Sequence, residues 1–219
     1  MQYMNMGSIR EKGQLSVNGF GSVSAKADMA ILTVGITTSD KDIQVAQENN
    51  TNNVNLLIDS LVSFGIPKKN INADSISINR IFDNVTNEFK RYEVTTLVRI
   101  EIRDLTRLGD KYSLAIENNV NSDVNISFTL SNIKSYYNKA LVSATKDALD
   151  KASLLSKSLG FKLKPLPENI SENSSAQFAV TPRNNLNYTY SSSPDISSGD
   201  LEITAQVSLI FNTNLKLYL

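Results

Sequence analysis

LSVNGFGSVSAKADMAILTVGIT, residues 15–37, is the stretch on which the fold turns. In its first half Leu15, Val17, Gly19, Gly21, Val23 and Ala25 share one face, and Ser16, Asn18, Ser22 and Ser24 share the other. Such period-two alternation marks a half-buried strand. Lys26, Ala27 and Asp28 turn the chain. Met29 to Thr37 then runs almost unbroken in apolar residues, as expected of a strand inside a sheet and buried on both faces.

Beyond it the period changes. Ile43, Ala46, Val54, Leu57, Ile58, Leu61 and Val62 fall largely on one helical stripe, interrupted by the polar run from Glu48 to Asn53. Ser39 and Asp42 are expected to act as a capping pair, and Gly65 followed by Pro67 ends the helix. Ile76, Ile78 and Phe82 next alternate around Arg80. Tyr92, Val94, Thr96, Val98, Ile100 and Ile102 alternate with Arg91, Glu93, Thr95, Arg99, Glu101 and Arg103. These are the arms of a hairpin whose turn is Asp83 to Glu88.

A short helix capped by Asp104 opens the second half, with Leu105, Leu108, Tyr112, Ala115 and Ile116 on one side. Val124, Ile126, Phe128 and Leu130 form a strand. Tyr137, Leu141, Ala144, Ala148, Ala152, Leu155 and Leu159 then step by three or four up to Gly160. They predict a helix of about 26 residues, roughly 39 Å long at ~1.5 Å per residue, with one end projecting past its sheet. Phe161 to Ser171 reads as a broken edge strand containing proline. Residues 173–199 read as a long Ser/Asn-rich loop. A last strand carries Leu201, Ile203, Ala205, Val207, Leu209 and Phe211 on one face.

The order ββαββ-αβα-ββ predicts an α+β fold, mostly antiparallel sheet with three helices. The expected organisation is an N-terminal tail over residues 1–13 and one domain over 14–213, divisible into subdomains 14–103 and 104–213.

Composition excludes much chemistry. The 219 residues include no histidine and no cysteine, so there is no imidazole base, no Ser-His-Asp triad, no thiolate nucleophile and no Cys/His zinc site. Twenty-two basic and 22 acidic side chains cancel, so no net field draws in nucleic acid. No apolar run approaches the roughly 20 residues that span a bilayer. The opening MQYMNMGSIREKGQ holds no signal-peptide core. A cytoplasmic location is expected if Met1 is the native start, and an exported or envelope location if a leader has been removed.

Single features have structural explanations. Gly19-Phe20-Gly21 lies within a strand and leads into another strand, which argues for close backbone packing over a phosphate loop. Asp28, Asp40 and Asp42 match no calcium-loop spacing and suit a turn and a helix start. Asp147 and Asp150 are expected to pair with Lys151 and Lys146 on a solvent-facing helix surface. Lys68-Lys69 and Lys90-Arg91 read as solvated turns. Tyr188 and Tyr190, aromatics on a polar loop, are the candidate interface residues. No catalytic, cofactor-binding or metal-binding residue emerges, and no cofactor is expected.

SVNGFGSVSAKADMAILTVGI, SFGIPKKNI, RYEVTTLVRIEI and ALVSATKDALDKASLLSKSLGFKL together resemble the SIMPL-domain family, from Leu15 to Asn212. The family's V-x-G-x-G strand is matched by Val17 to Gly21. Ala27-Asp28 stands where members usually carry Pro-Asp, and Arg91-Tyr92 where they carry Gly-Tyr. The resemblance implies bacterial envelope proteins linked to oxidative-stress tolerance or seen as surface antigens, and a mammalian adaptor that binds a kinase. Some relatives form large oligomers, and no enzymatic reaction is established for the family. The expected function is therefore non-enzymatic, through self-assembly or protein binding, with a homo-oligomer or a protein partner. A carboxylate- or lysine-based enzyme and a small-molecule or lipid carrier are the alternatives.

Overall fold

A computed structural model describes residues 12–173, 180–182 and 199–214. Its strands are β1 (Lys12–Lys26), β2 (Met29–Asp40), β3 (Ile71–Phe82), β4 (Phe89–Ile102), β5 (Ser122–Thr129), β6 (Lys162–Leu163), β7 (Asn169–Glu172), β8 (Val180–Pro182) and β9 (Asp200–Asn214). Its helices are α1 (Ile43–Ser63), α2 (Leu108–Glu117) and α3 (Ile133–Leu159). The class is α+β with antiparallel sheet, in the expected order. The segment read as one broken edge strand is two short ones, β6 and β7, and β8 falls within residues 173–199.

The chain forms two compact units. One is built on the continuous run from Lys26 to Ser131, joined by Gly199 among the described residues, and the other on described segments from either side of that run.

In the unit built on the continuous run the strands lie in the order β3-β4-β2-β5. β2 is interior, paired antiparallel with β4 from Ala30↔Ile102 to Asp40↔Tyr92 and with β5 on its other side. One face presents Ala30, Leu32, Val34 and Ile36 from β2 with Val98, Ile100 and Ile102 from β4. Against it α1 lays Val54, Leu57 and Leu61, and α2 adds Leu108 and Ala115. Full burial of a Leu or Ile side chain stabilises by about 1.5–3 kcal/mol, so this stripe is what seats the helices.

The N-cap of α1 is Asp42 itself, whose carboxylate accepts from the Gln44 N–H at 2.7 Å. Ser39 belongs to β2 and does not cap. The polar run through the middle of α1 hides a buried residue. Asn50 donates to the carbonyl oxygens of Ile36 at 2.8 Å and Val94 at 3.0 Å, and accepts from the Thr96 hydroxyl. A single amide thus joins α1 to both central strands. Gly65, at φ 103°, follows the last turn, where the Ile66 N–H reaches the Leu61 carbonyl.

In the other unit β9 lies between β1 on one side and β6, β7 and β8 on the other. β6, β7 and β8 pair antiparallel with successive parts of β9. The inward residues of β9 are those expected, Leu201 to Phe211 in alternation, and all are buried. The seam of α3 differs from expectation. Its buried residues are Tyr137, Ala140, Ala144, Ala148 and Ala152, while Leu155 and Leu159 are exposed.

Glycines explain the alanines. A Cβ on Gly19 would overlap the Ala144 carbonyl oxygen and lie 2.7 Å from the Ala148 Cβ; one on Gly21 would overlap the Ala140 carbonyl oxygen. β1 and α3 therefore meet backbone to backbone, with room only for methyl groups between them.

Candidate interaction surface

Among the described residues β3 is an outer edge of its sheet, paired only with β4. Ile71 at its start is buried, and every residue from Asn72 to Arg80 is exposed. Its register places Ile76 opposite Thr96 and Ile78 opposite Val94. Directly opposed residues in an antiparallel pair share a face, so the two isoleucines continue the apolar face of β4 outward. α1 lies on β2 and β4, and Ile76 and Ile78 remain 66% and 43% exposed.

Edge strands of monomeric proteins are commonly blunted by lysine, proline, bulges or a covering element. β3 has no proline and no lysine. Its register slips between Ala73 and Ser75 and again between Ile81 and Phe82, leaving a regular run from Ser75 to Ile81. At the hairpin end the Phe82 and Phe89 rings meet edge-on with centroids 6.2 Å apart, and Phe89 lies 4.9 Å from Tyr92. The Arg80 guanidinium sits over both phenylalanines, 5.4 and 5.5 Å from their centroids. The turn is fixed by Asp83, whose carboxylate accepts the Val85 and Thr86 N–H groups.

The acidic groups serve structure. Asp40 and Asp42 shape the start of α1. Asp147 does more than decorate a solvated face. Its carboxylate accepts from Lys151 at 2.6 Å and from the Phe20 N–H at 2.9 Å, tying α3 to β1, while Lys151 also donates to the Asn18 carbonyl. Asp83, Asp104 and Asp147 are held below the usual carboxylate range. The causes, in that order, are the Thr86 and Val85 N–H groups, the Thr106 hydroxyl and the Lys151 ammonium. Burial pushes the Asp28 carboxyl up, but hydrogen bonds from the Ser131 hydroxyl and N–H outweigh it and leave the acid stronger than usual. These four are fixed as anions, the opposite of what a general acid needs.

Among the described residues no three acidic side chains gather closely enough to hold a metal ion. An open cleft of about 420 Å³ lies beside α3, lined by Leu149, Ser153, Ser156, Phe161, Lys162 and Phe211 among others. None of its lining residues is acidic, so it holds no acid/base pair. No described helix is long and apolar enough to cross a membrane. Tyr188 and Tyr190, the candidates read from the sequence, lie outside the described residues. Edge strands, the loop over residues 173–199 and the end of α3 are the contact surfaces the sequence suggests, and the strand order makes β3 one such edge among the described residues.

These features define an α+β protein with two antiparallel sheets and, among the described residues, an exposed, partly apolar edge strand. The chain belongs to the SIMPL family, whose model, described as "Protein of unknown function (DUF541)", matches residues 15–211. Among its relatives, the 26 kDa periplasmic immunogenic protein of Brucella melitensis is 24% identical over 213 residues, covering 92% of this chain and 85% of the relative. The protein of the same name from Brucella abortus matches equally. The uncharacterized protein YggE of Edwardsiella ictaluri is 26% identical over 161 residues, covering 72% of this chain and 67% of that protein.

Proposed function

We propose that this protein acts through its surfaces, as a non-enzymatic binding domain that assembles with copies of itself or docks another protein. The observation that carries this is β3: an edge strand exposed from Asn72 to Arg80 with Ile76 and Ile78 on its surface. An unpaired strand edge is a template for strand addition, in which backbone hydrogen bonds supply affinity and alternate side chains supply selectivity. The missing histidine and cysteine, and carboxylates committed to caps and ion pairs, support the non-enzymatic part. Tyr188 and Tyr190 belong to the same proposal as a second contact.

The periplasmic naming of the Brucella relatives supports an exported, envelope location over the cytoplasmic one. A stress-related role enters through the family resemblance alone.

Light scattering on a size-exclusion column, over a wide concentration range, tests the proposal. The expected result is a mass that rises with concentration and returns to that of one chain in the variant Ile76→Lys/Ile78→Lys. Both positions are exposed, so the variant should melt within about 0.5 kcal/mol of the parent. A wild-type chain that stays monomeric throughout removes the self-assembly arm. Turnover of a substrate, abolished by replacing one carboxylate, removes the non-enzymatic reading.

A further inference from the structure

We propose that β3 pairs with β3 of a second copy, antiparallel, about a two-fold axis passing through Ser77. The pairing rests on the self-association proposed above and names its partner and register.

The regular run Ser75-Ile76-Ser77-Ile78-Asn79 reads nearly alike in both directions. With Ser77 against the partner copy's Ser77, Ile76 falls opposite Ile78 and Ser75 opposite Asn79. Each relation occurs twice, as a two-fold interface requires. Four isoleucines then form one apolar patch across the seam. All five residues are exposed.

Neighbouring registers lack this match. A two-fold axis perpendicular to the sheet keeps each face on itself, so its centre can move only by whole residues. Centred on Ile76, the pairing sets Ile78 against Asp74, at the slip in register between Ala73 and Ser75. Centred on Ile78, it sets Arg80 against Ile76. Only the Ser77 centre sets all four isoleucines against isoleucine.

The chain contains no cysteine, which makes the test clean. Ser77→Cys introduces a single thiol that should meet its own copy and form a covalent dimer under mild oxidation of the full chain. Ser75→Cys alone should not, because in this register residues 75 of the two copies lie about 14 Å apart, well beyond disulfide reach. Mixing Ser75→Cys with Asn79→Cys should give the mixed dimer. Independently, Ile76→Ser or Ile78→Ser should each weaken self-association by about tenfold, since each change is felt at two places in a two-fold seam. Circular dichroism of each variant checks that the fold is kept.

Association of the wild-type chain with no cross-link in the Ser77→Cys variant, or with no response to either isoleucine substitution, overturns this register and leaves the broader reading standing. A chain monomeric at every concentration overturns both.

Discussion

The Asp28 carboxylate accepts two hydrogen bonds from Ser131, one from its N–H at 2.6 Å and one from its hydroxyl at 2.7 Å. These residues lie at the two ends of the continuous run, Lys26 to Ser131, on which one of the two units is built. Beside them the Asp28 N–H donates to the Thr129 carbonyl. One side chain thus closes the loop through which the whole four-stranded sheet is threaded.

That clasp depends on ionisation. The folded carboxyl is more acidic than the unfolded one, whose pKa is about 3.9. Its contribution is therefore complete above about pH 4 and is lost as pH falls from there through the folded value. The melting temperature is expected to decline on acidification below pH 4, and Asp28→Ala to flatten that decline. Calorimetric scans from pH 7 to pH 2 check both. An unchanged acid limb in Asp28→Ala would show that the clasp carries no linkage.

Asn50 is expected to be the costliest polar residue of α1 to remove. Asn50→Ala takes a donor from the Ile36 and Val94 carbonyls and an acceptor from the buried Thr96 hydroxyl. Leaving such a group unpaired costs about 1–3 kcal/mol. Urea unfolding of Asn50→Ala beside Asn49→Ala, an exposed neighbour, measures it. Equal losses for the two would contradict the bridge.

Gly19→Ala is expected to destabilise the unit built on β9 by about 3 kcal/mol, near the upper end for overpacking. The nearest obstacle is the Ala144 carbonyl oxygen, which belongs to the backbone of α3. Ala148→Gly should therefore fail to rescue it. Recovery in that double variant would mean that the methyl group, and not the helix backbone, sets the spacing.

Strands were legible in the sequence because one residue in two must face the core. The inward set of β9 and the dry face of β4 follow from alternation alone. The face of α3 was only half legible. Leu155 and Leu159 share the periodicity of the seam, yet the helix meets β1 so closely at Gly19 and Gly21 that methyl groups fill the space, and the leucines fall outside it. Asn50 was hidden for a different reason. Its neighbours are polar and solvated, and nothing in a helical stripe announces an amide aimed at two strand carbonyls. Ile76 and Ile78 were read correctly as one face. That the strand is an edge, beyond the cover of α1, depends on strand order, which periodicity does not encode.

β1 and β9 are neighbours in one sheet, yet their contact between Asn18 and Ser208 spans 190 positions. At a synthesis rate of about 5–20 residues per second, the first strand waits on the order of 10–40 s for its mate to leave the ribosome. The four strands of the other sheet, β2 to β5, have all been made before that. The leading strand therefore stays unpaired for most of the chain's synthesis, which is the interval in which a chaperone can still take hold of it.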